Sequence, residues 1–329
     1  MKSTKVKNKK RLSAILSVVL LIIIGAVCFY YFGASYEFYS YVKIEAQMPG
    51  LNDGFVPQGL CVIDESGDYL VSGYMKDTSK ASRIYYVNKQ TLAAKYVTLN
   101  LASAELTNGH FGGVATSGDS VWVASDGYLF YFALNDFKLA DNEAQLTPIS
   151  TVQLDYATDF CYANGSNLYV GEFYRSGNYE VDESHYVTSE QGQTNHAIMA
   201  VYNIDSTGVH GLESLDPIMA VSIPDQVQGF CMTNSGKYVF STSYSLPDSI
   251  IYVFDSTVAT SSTVQINEKQ VQVFAVFKEQ LHKQIVAPCM AEGIDYHNGS
   301  VHIMFENACA KYKMVTRVRE KNILSFEQE

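Results

Sequence analysis

One short pattern recurs five times along this chain: an apolar strand, a tight glycine-containing turn and a second apolar strand. The copies are VPQGLCVIDESGDYLVSGY (56–74), HFGGVATSGDSVWVAS (110–125), YATDFCYANGSNLYVGEF (156–173), QVQGFCMTNSGKYVFSTSY (226–244) and MAEGIDYHNGSVHIMFENA (290–308). Their turns sit at Gly67, Gly118, Gly165, Gly236 and Gly299, where glycine can take the positive φ of a hairpin. Units repeating at such a period bury their faces only against one another.

A third strand follows four of the hairpins, at 82–91, 128–136, 197–205 and 249–257, and a fourth at 95–101, 149–154, 218–223 and 272–277. Four antiparallel strands recurring every 46 to 70 residues predict an all-β chain folded as a five-bladed β-propeller. The fifth hairpin finds a third strand near 322–326 and then the chain stops. The strand at 41–46 stands before the first hairpin as KYVTLNL stands before the second, so it is expected to complete the last blade and close the ring. Six blades are the alternative, with extra strands hidden in 171–196 or 260–269; the run 177–183 reads as a polar loop. The 24 tyrosines and 17 phenylalanines agree with wide strand faces, and the lone Trp122 reads as inter-blade core.

The N-terminus follows other rules. Residues 1–11 carry six basic side chains and no acid, forming a basic cytoplasmic tail, and residues 12–33 carry no charge, enough for one transmembrane helix acting as a signal anchor. Positive charge on the inner flank places 34–329, the propeller, outside the cell membrane in a single-pass arrangement. The aromatic run 29–32 reads as an interface belt, and Ala34-Ser35 keeps open a cleaved signal and a secreted product. With the tail set aside, 17 basic residues face 34 acidic ones, a formal charge of −17 that disfavours nucleic acid as a partner.

Pro57-Gln58-Gly59-Leu60, Val227-Gln228-Gly229-Phe230 and Ala291-Glu292-Gly293-Ile294 open three inner strands. With these marks the region from about 40 to 329 resembles the YncE, NHL and gluconolactonase-like propeller superfamily, and most closely bacterial cell-surface propellers. The resemblance implies architecture rather than activity, since propellers carry enzymes, binders and scaffolds alike.

In a propeller blade, the start of the inner strand and the end of the second strand share one face. That face should collect Gln58, His110, Asp159, Gln226, Gln228 and Glu292 from strand starts. Second-strand ends should add Tyr74, Asp126, Glu172, Tyr244, Glu306 and Asn307. Carboxylates, amides and tyrosines at a channel mouth suit a small molecule, a glycan or a hard cation, and equally a merely wet channel. Glu292-Gly293 resembles the metal-binding glutamate of gluconolactonase-like enzymes, so Glu292 with Asp159 could hold a divalent cation such as Ca²⁺, although no cofactor is required. His110 is the one histidine at a channel position. No HExxH, paired CxxC, GxSxG, P-loop or EF-hand spacing occurs.

Cys61, Cys161 and Cys231 repeat at one position of three blades and read as a packing slot. Cys289 and Cys309 flank the fifth hairpin and could form a disulfide in an oxidising exterior. The expectation is a membrane-anchored extracytoplasmic binding or scaffolding module at the cell surface, with a small molecule, glycan or envelope protein as partner. A divalent-metal-dependent lactonase or esterase is the alternative.

Overall fold

The computed structural model describes residues 2–28 and 36–328, with side-chain surroundings given for 14–27 and 36–328. Two compact units result, 1–41 and 42–329. The first holds a helix over Lys2–Cys28 and a single turn over Tyr36–Tyr39. Among the described residues no helix is long and apolar enough to cross a membrane. The expected aromatic belt at 29–32 and the cleavage option at Ala34-Ser35 lie outside the described residues.

The second unit is a ring of five four-stranded antiparallel blades, two of them carrying extra edge strands. Blade 1 comprises Phe55–Val62, Tyr69–Met75, Arg83–Val87 and Ala94–Leu99; blade 2 comprises Gly113–Ser117, Ser120–Ser125, Tyr128–Ala133 and Ser150–Gln153. Blade 3 runs Phe160–Ala163, Asn167–Gly171, Ala197–Asn203 and Met219–Ile223, and blade 4 Val227–Met232, Tyr238–Thr242, Ser249–Phe254 and Leu281–Ala287. Blade 5 takes Ala291–His297, Ser300–Phe305 and Asn322–Glu327 from the C-terminus, and Lys43–Gln47 from the N-terminal side. The closing strand pairs antiparallel with Asn322–Glu327, Ile44 opposite Leu324, so both ends of the ring share one sheet as expected.

At four of the five junctions between blades the inner strands approach closely at a glycine. A Cβ on Gly59 would stand 2.8 Å from Val114 N, one on Gly113 2.3 Å from Cys161 N, and one on Gly293 2.4 Å from Leu60 N. On Gly229 it would meet Ile294 N at 2.9 Å. The inner strands thus touch backbone to backbone around the axis, an approach only glycine allows. Cys61 and Cys231 follow Gly59 and Gly229 along these strands, and Cys161 follows Asp159 in the same way; all three are buried, consistent with a packing slot.

Apolar side chains fill the spaces between blades. Trp122 is fully buried with Leu168, Ile198 and Tyr202 between blades 2 and 3, and its indole N–H donates to the His210 carbonyl at 2.8 Å. Phe111, Val121 and Phe130 pack against Leu70 and Ile84 of blade 1.

Two edges depart from expectation. The run 272–277 is not the fourth strand of blade 4: Lys269–Ala275 pairs parallel with Met219–Ile223 of blade 3, and Val258–Ile266 pairs beyond it. Leu281–Ala287 takes the vacated place against Ser249–Phe254. Val271, Val273 and Ala275 bury into the blade 3 core, whereas His282, Lys283 and Gln284 are exposed and give a weaker apolar signal. The region 260–269 therefore hides a strand, but as a strap between neighbouring blades rather than as a sixth blade. Region 171–196 holds an isolated bridge between Arg175 and Tyr179, a 3₁₀ turn over Glu183–His185 and a short ribbon of Val187–Thr188 with Thr194–Asn195, and no further blade.

Candidate functional site

Three inner strands carry a β-bulge at the same place: register shifts occur between Pro57 and Gly59, between Val227 and Gly229, and between Ala291 and Ile294. The residues inside those bulges are Gln58, Gln228 and Glu292 with Gly293. A bulge adds an unpaired residue and re-aims its side chain. Here the three side chains face a cavity of about 1010 Å³.

The cavity brings together Gln58, Tyr74, His110, Asp126, Asp159, Gln228, Tyr244, Glu292 and Glu306, as expected from strand starts and ends. Three expected residues go elsewhere. Gln226 lines a neighbouring cavity of about 400 Å³. Glu172 is buried, its carboxylate taking His185 Nδ1 at 2.9 and 3.1 Å and the Ile198 N–H at 3.1 Å. Successive strand residues face opposite ways, so with Glu172 turned inward the next residue, Phe173, reaches the cavity instead. Asn307 is fully buried, donating to the Cys289 carbonyl at 2.7 Å and accepting from Glu320 N–H at 2.7 Å, which pins the segment 308–319 at both ends. That segment supplies two wall residues no pattern signalled, Lys311 and Tyr312.

A hydrogen-bonded chain crosses the cavity wall. Gln58 Nε2 donates to Glu306 Oε2 at 3.0 Å and to the adjacent Pro57 carbonyl at 2.8 Å. An amide nitrogen only donates, so Gln58 Oε1 accepts from His110 Nε2 at 2.5 Å and the histidine proton resides on Nε2. The His110 amide donates to Asp126 Oδ2 at 2.9 Å. The His110 ring lies 4.6 Å from Tyr74, and Lys311 Nζ donates to the Tyr74 hydroxyl at 2.6 Å.

The electrostatics of this wall are unusual. Burial, then the charge of Glu306, pushes the Glu292 carboxyl well above its ordinary range. Burial raises Glu306 to about 8 against the opposing pull of Lys311 and Gln58. Asp159 is raised to about 7 by burial, although its Oδ2 accepts the Phe173 N–H at 2.7 Å. Withdrawal from bulk water holds His110 below the ordinary histidine value, with Asp126 opposing. At neutral pH the cup thus presents Glu292 and Glu306 chiefly as neutral acids, Asp159 between its two forms, and a neutral imidazole.

Glu292 and Asp159, the expected metal pair, both line the cavity, with Asp159 Oδ2 accepting the Phe173 N–H; among the described residues no group of three or more His, Cys, Asp or Glu could hold a metal ion. The expected disulfide is also not formed: Cys289 and Cys309 are separate buried thiols.

No family model matches the sequence, and no curated protein matches it. Among solved structures the chain is similar to the glutaminyl cyclase of Myxococcus xanthus, at 10% identity and a TM-score of 0.43, over 87% of this chain and 94% of that one. A putative oxidoreductase (glucose dehydrogenase) of Thermus thermophilus follows at 9% identity and 0.42, over 86% and 98%. The PQQ-bound aldose sugar dehydrogenase of Streptomyces coelicolor matches at 18% and 0.35, over 80% and 78%. These neighbours are propeller proteins, and likeness at this level transfers no activity.

Proposed function

We propose that this chain is a membrane-anchored, outward-facing propeller that binds a small polar molecule in the axial cup, serving as a ligand-binding module at the cell surface. One observation carries the reading: three β-bulges in separate blades turn Gln58, Gln228 and Glu292 into a single cavity of ligand size, beside the aromatic faces of Tyr74, Phe173 and Tyr244. A wet channel needs no such convergence. Concave sites with a few aimed polar groups and aromatic walls are the usual form of small-molecule sites. The anchor is supported by the uncharged run 12–33 behind a basic tail.

Two measurements test this. Membranes carrying the full chain should retain it through alkaline carbonate washing and expose the propeller to external protease; release by the wash removes the anchor. Thermal-shift screening of the full chain in detergent should find small molecules that raise the unfolding temperature. Gln228→Trp should abolish the shift while leaving the unliganded melting temperature near wild type. Shifts that survive cup filling place the ligand elsewhere and overturn the reading.

A further inference from the structure

We infer that the cup takes a small organic cation, its ammonium group seated between Glu292 and Glu306 and its body against Tyr74 and Tyr312. This rests on the reading of the cup as a ligand site and names the chemistry that site selects.

The first support is an unpartnered acid. Glu292 is 2% exposed and lines the cavity, yet among the described residues its hydrogen bonding runs through the backbone carbonyl, which accepts from Ser241 Oγ at 2.7 Å, and its carboxyl has no partner. Buried polar groups in native proteins are almost always satisfied, so an acid left open toward a cavity is matched to something that enters it. Glu306, 9% exposed, lines the same wall and has only the Gln58 amide. Two acids there leave room for a donor carrying charge.

The second support is an ammonium already present on the same aromatic pair. Lys311 Nζ lies 4.6 Å from the Tyr74 ring centroid and 4.9 Å from that of Tyr312. Lys311 also donates to the Tyr74 hydroxyl, so this tyrosine pair holds an ammonium at its hydroxyl edge. Lys311 is the one Lys or Arg among the described lining residues, against Glu105, Asp126, Asp159, Glu292 and Glu306. The acidic chain as a whole attracts cations. A metal ion is disfavoured by the lack of a three-ligand group among the described residues.

Seating an ammonium has a proton consequence. The groups facing Glu292 are Glu306 and Cys309 of the following segment with the hydroxyls of Tyr74 and Tyr312, while Lys311 faces Glu306. Without a ligand, burial and mutual repulsion keep the acid pair protonated; a seated cation favours ionisation, so binding releases protons to the buffer.

The test is calorimetry of the full chain in detergent with tyramine and putrescine, against 4-ethylphenol and glucose as neutral probes. Each titration is run in two buffers of different ionisation enthalpy. The expected result is binding of at least one amine, a buffer-dependent heat signifying proton release, and roughly a tenfold or greater loss of amine affinity in Glu292→Gln. Glu306→Gln should weaken the amine as well, and melting temperatures no lower than wild type in both variants show that folding is retained. A neutral probe binding as tightly as its amine counterpart overturns the cation inference and leaves the cup reading standing. Binding of no probe overturns the inference too, and only the wider thermal-shift screen then decides the cup reading.

Discussion

Gln58 and Glu306 stand 248 positions apart in sequence and 3.0 Å apart in the cup, where the amide of one donates to the carboxyl of the other. The bond joins blade 1 to the end of the second strand of blade 5, across the seam where the ring closes. Because the same amide accepts from His110 of blade 2, three blades meet in one polar chain. Replacing Gln58 by Leu leaves two groups without partners at the cavity wall. A loss of about 1 to 2 kcal/mol is expected in urea unfolding, with Gln58→Asn recovering little because its shorter arm reaches neither end. Wild-type stability in Gln58→Leu contradicts a structural role for the chain.

The buried acids set a direction for pH dependence. In the folded state Asp159 and Asp295 are raised to about 7 and Glu306 to about 8, all chiefly by burial, and Glu292 is raised by burial as well. A carboxyl whose folded pKa exceeds its unfolded value stabilises the fold fully below that unfolded value, and the contribution is lost as pH rises through the folded one. His110 and His302 are lowered, so their effect on stability falls below the ordinary histidine range. Between about pH 6.5 and about pH 8 the melting temperature should therefore decline, and Glu306→Gln should flatten the decline. A rise over that window is the contrary result.

The glycine girdle separates steric from conformational cost. Gly293→Ala places a methyl 2.4 Å from the Leu60 backbone nitrogen, where nothing can yield without spreading two blades, and should cost about 3 kcal/mol or more. Gly236 has φ +83 with open space around it, so Gly236→Ala should cost only about 1 kcal/mol of backbone strain. Denaturant midpoints of the two variants give the comparison, and equal losses would falsify closure by backbone contact.

Trp122 is the only tryptophan of the chain and is fully buried between blades 2 and 3. Native emission should be blue-shifted and should move red on unfolding, making it a probe of the ring itself. Trp122→Ala should cost about 3 to 5 kcal/mol through the cavity left behind. An emission maximum already at the solvent-exposed position in native buffer argues against this packing.

Five cysteines, Cys61, Cys161, Cys231, Cys289 and Cys309, are buried free thiols. Native protein should react slowly with an aromatic disulfide reagent and fully once denatured, and reductant should leave the melting temperature unchanged. A drop on reduction would instead reveal a bond between Cys289 and Cys309.

Hairpins such as 56–74 and 290–308 could be recognised from sequence because a strand alternates on a period of two and its turn needs a glycine, both local requirements. The closing role of Lys43–Gln47 was legible for a related reason: a blade short of one strand at one terminus and a spare strand at the other imply each other. Pairing beyond the blade was not local. The most apolar run after blade 4, 272–277, lies largely in the strap on blade 3, since its burial is decided by which neighbour's edge stands open, and LHKQIVA, polar on its outer face, completes its own blade. The site divides in the same way. Gln58, Gln228 and Glu292 were marked by their place before or beside a glycine at an inner strand start. Tertiary structure alone exchanged Glu172 for Phe173 and brought in Lys311 and Tyr312, because a side chain's facing after the last paired residue and the path of an aperiodic segment follow from long-range contacts. Sequence thus determined the hairpins and the closing strand, through short-range periodicity; the fold decided between five blades and six, the edges and the cup, through the packing of residues far apart in the chain.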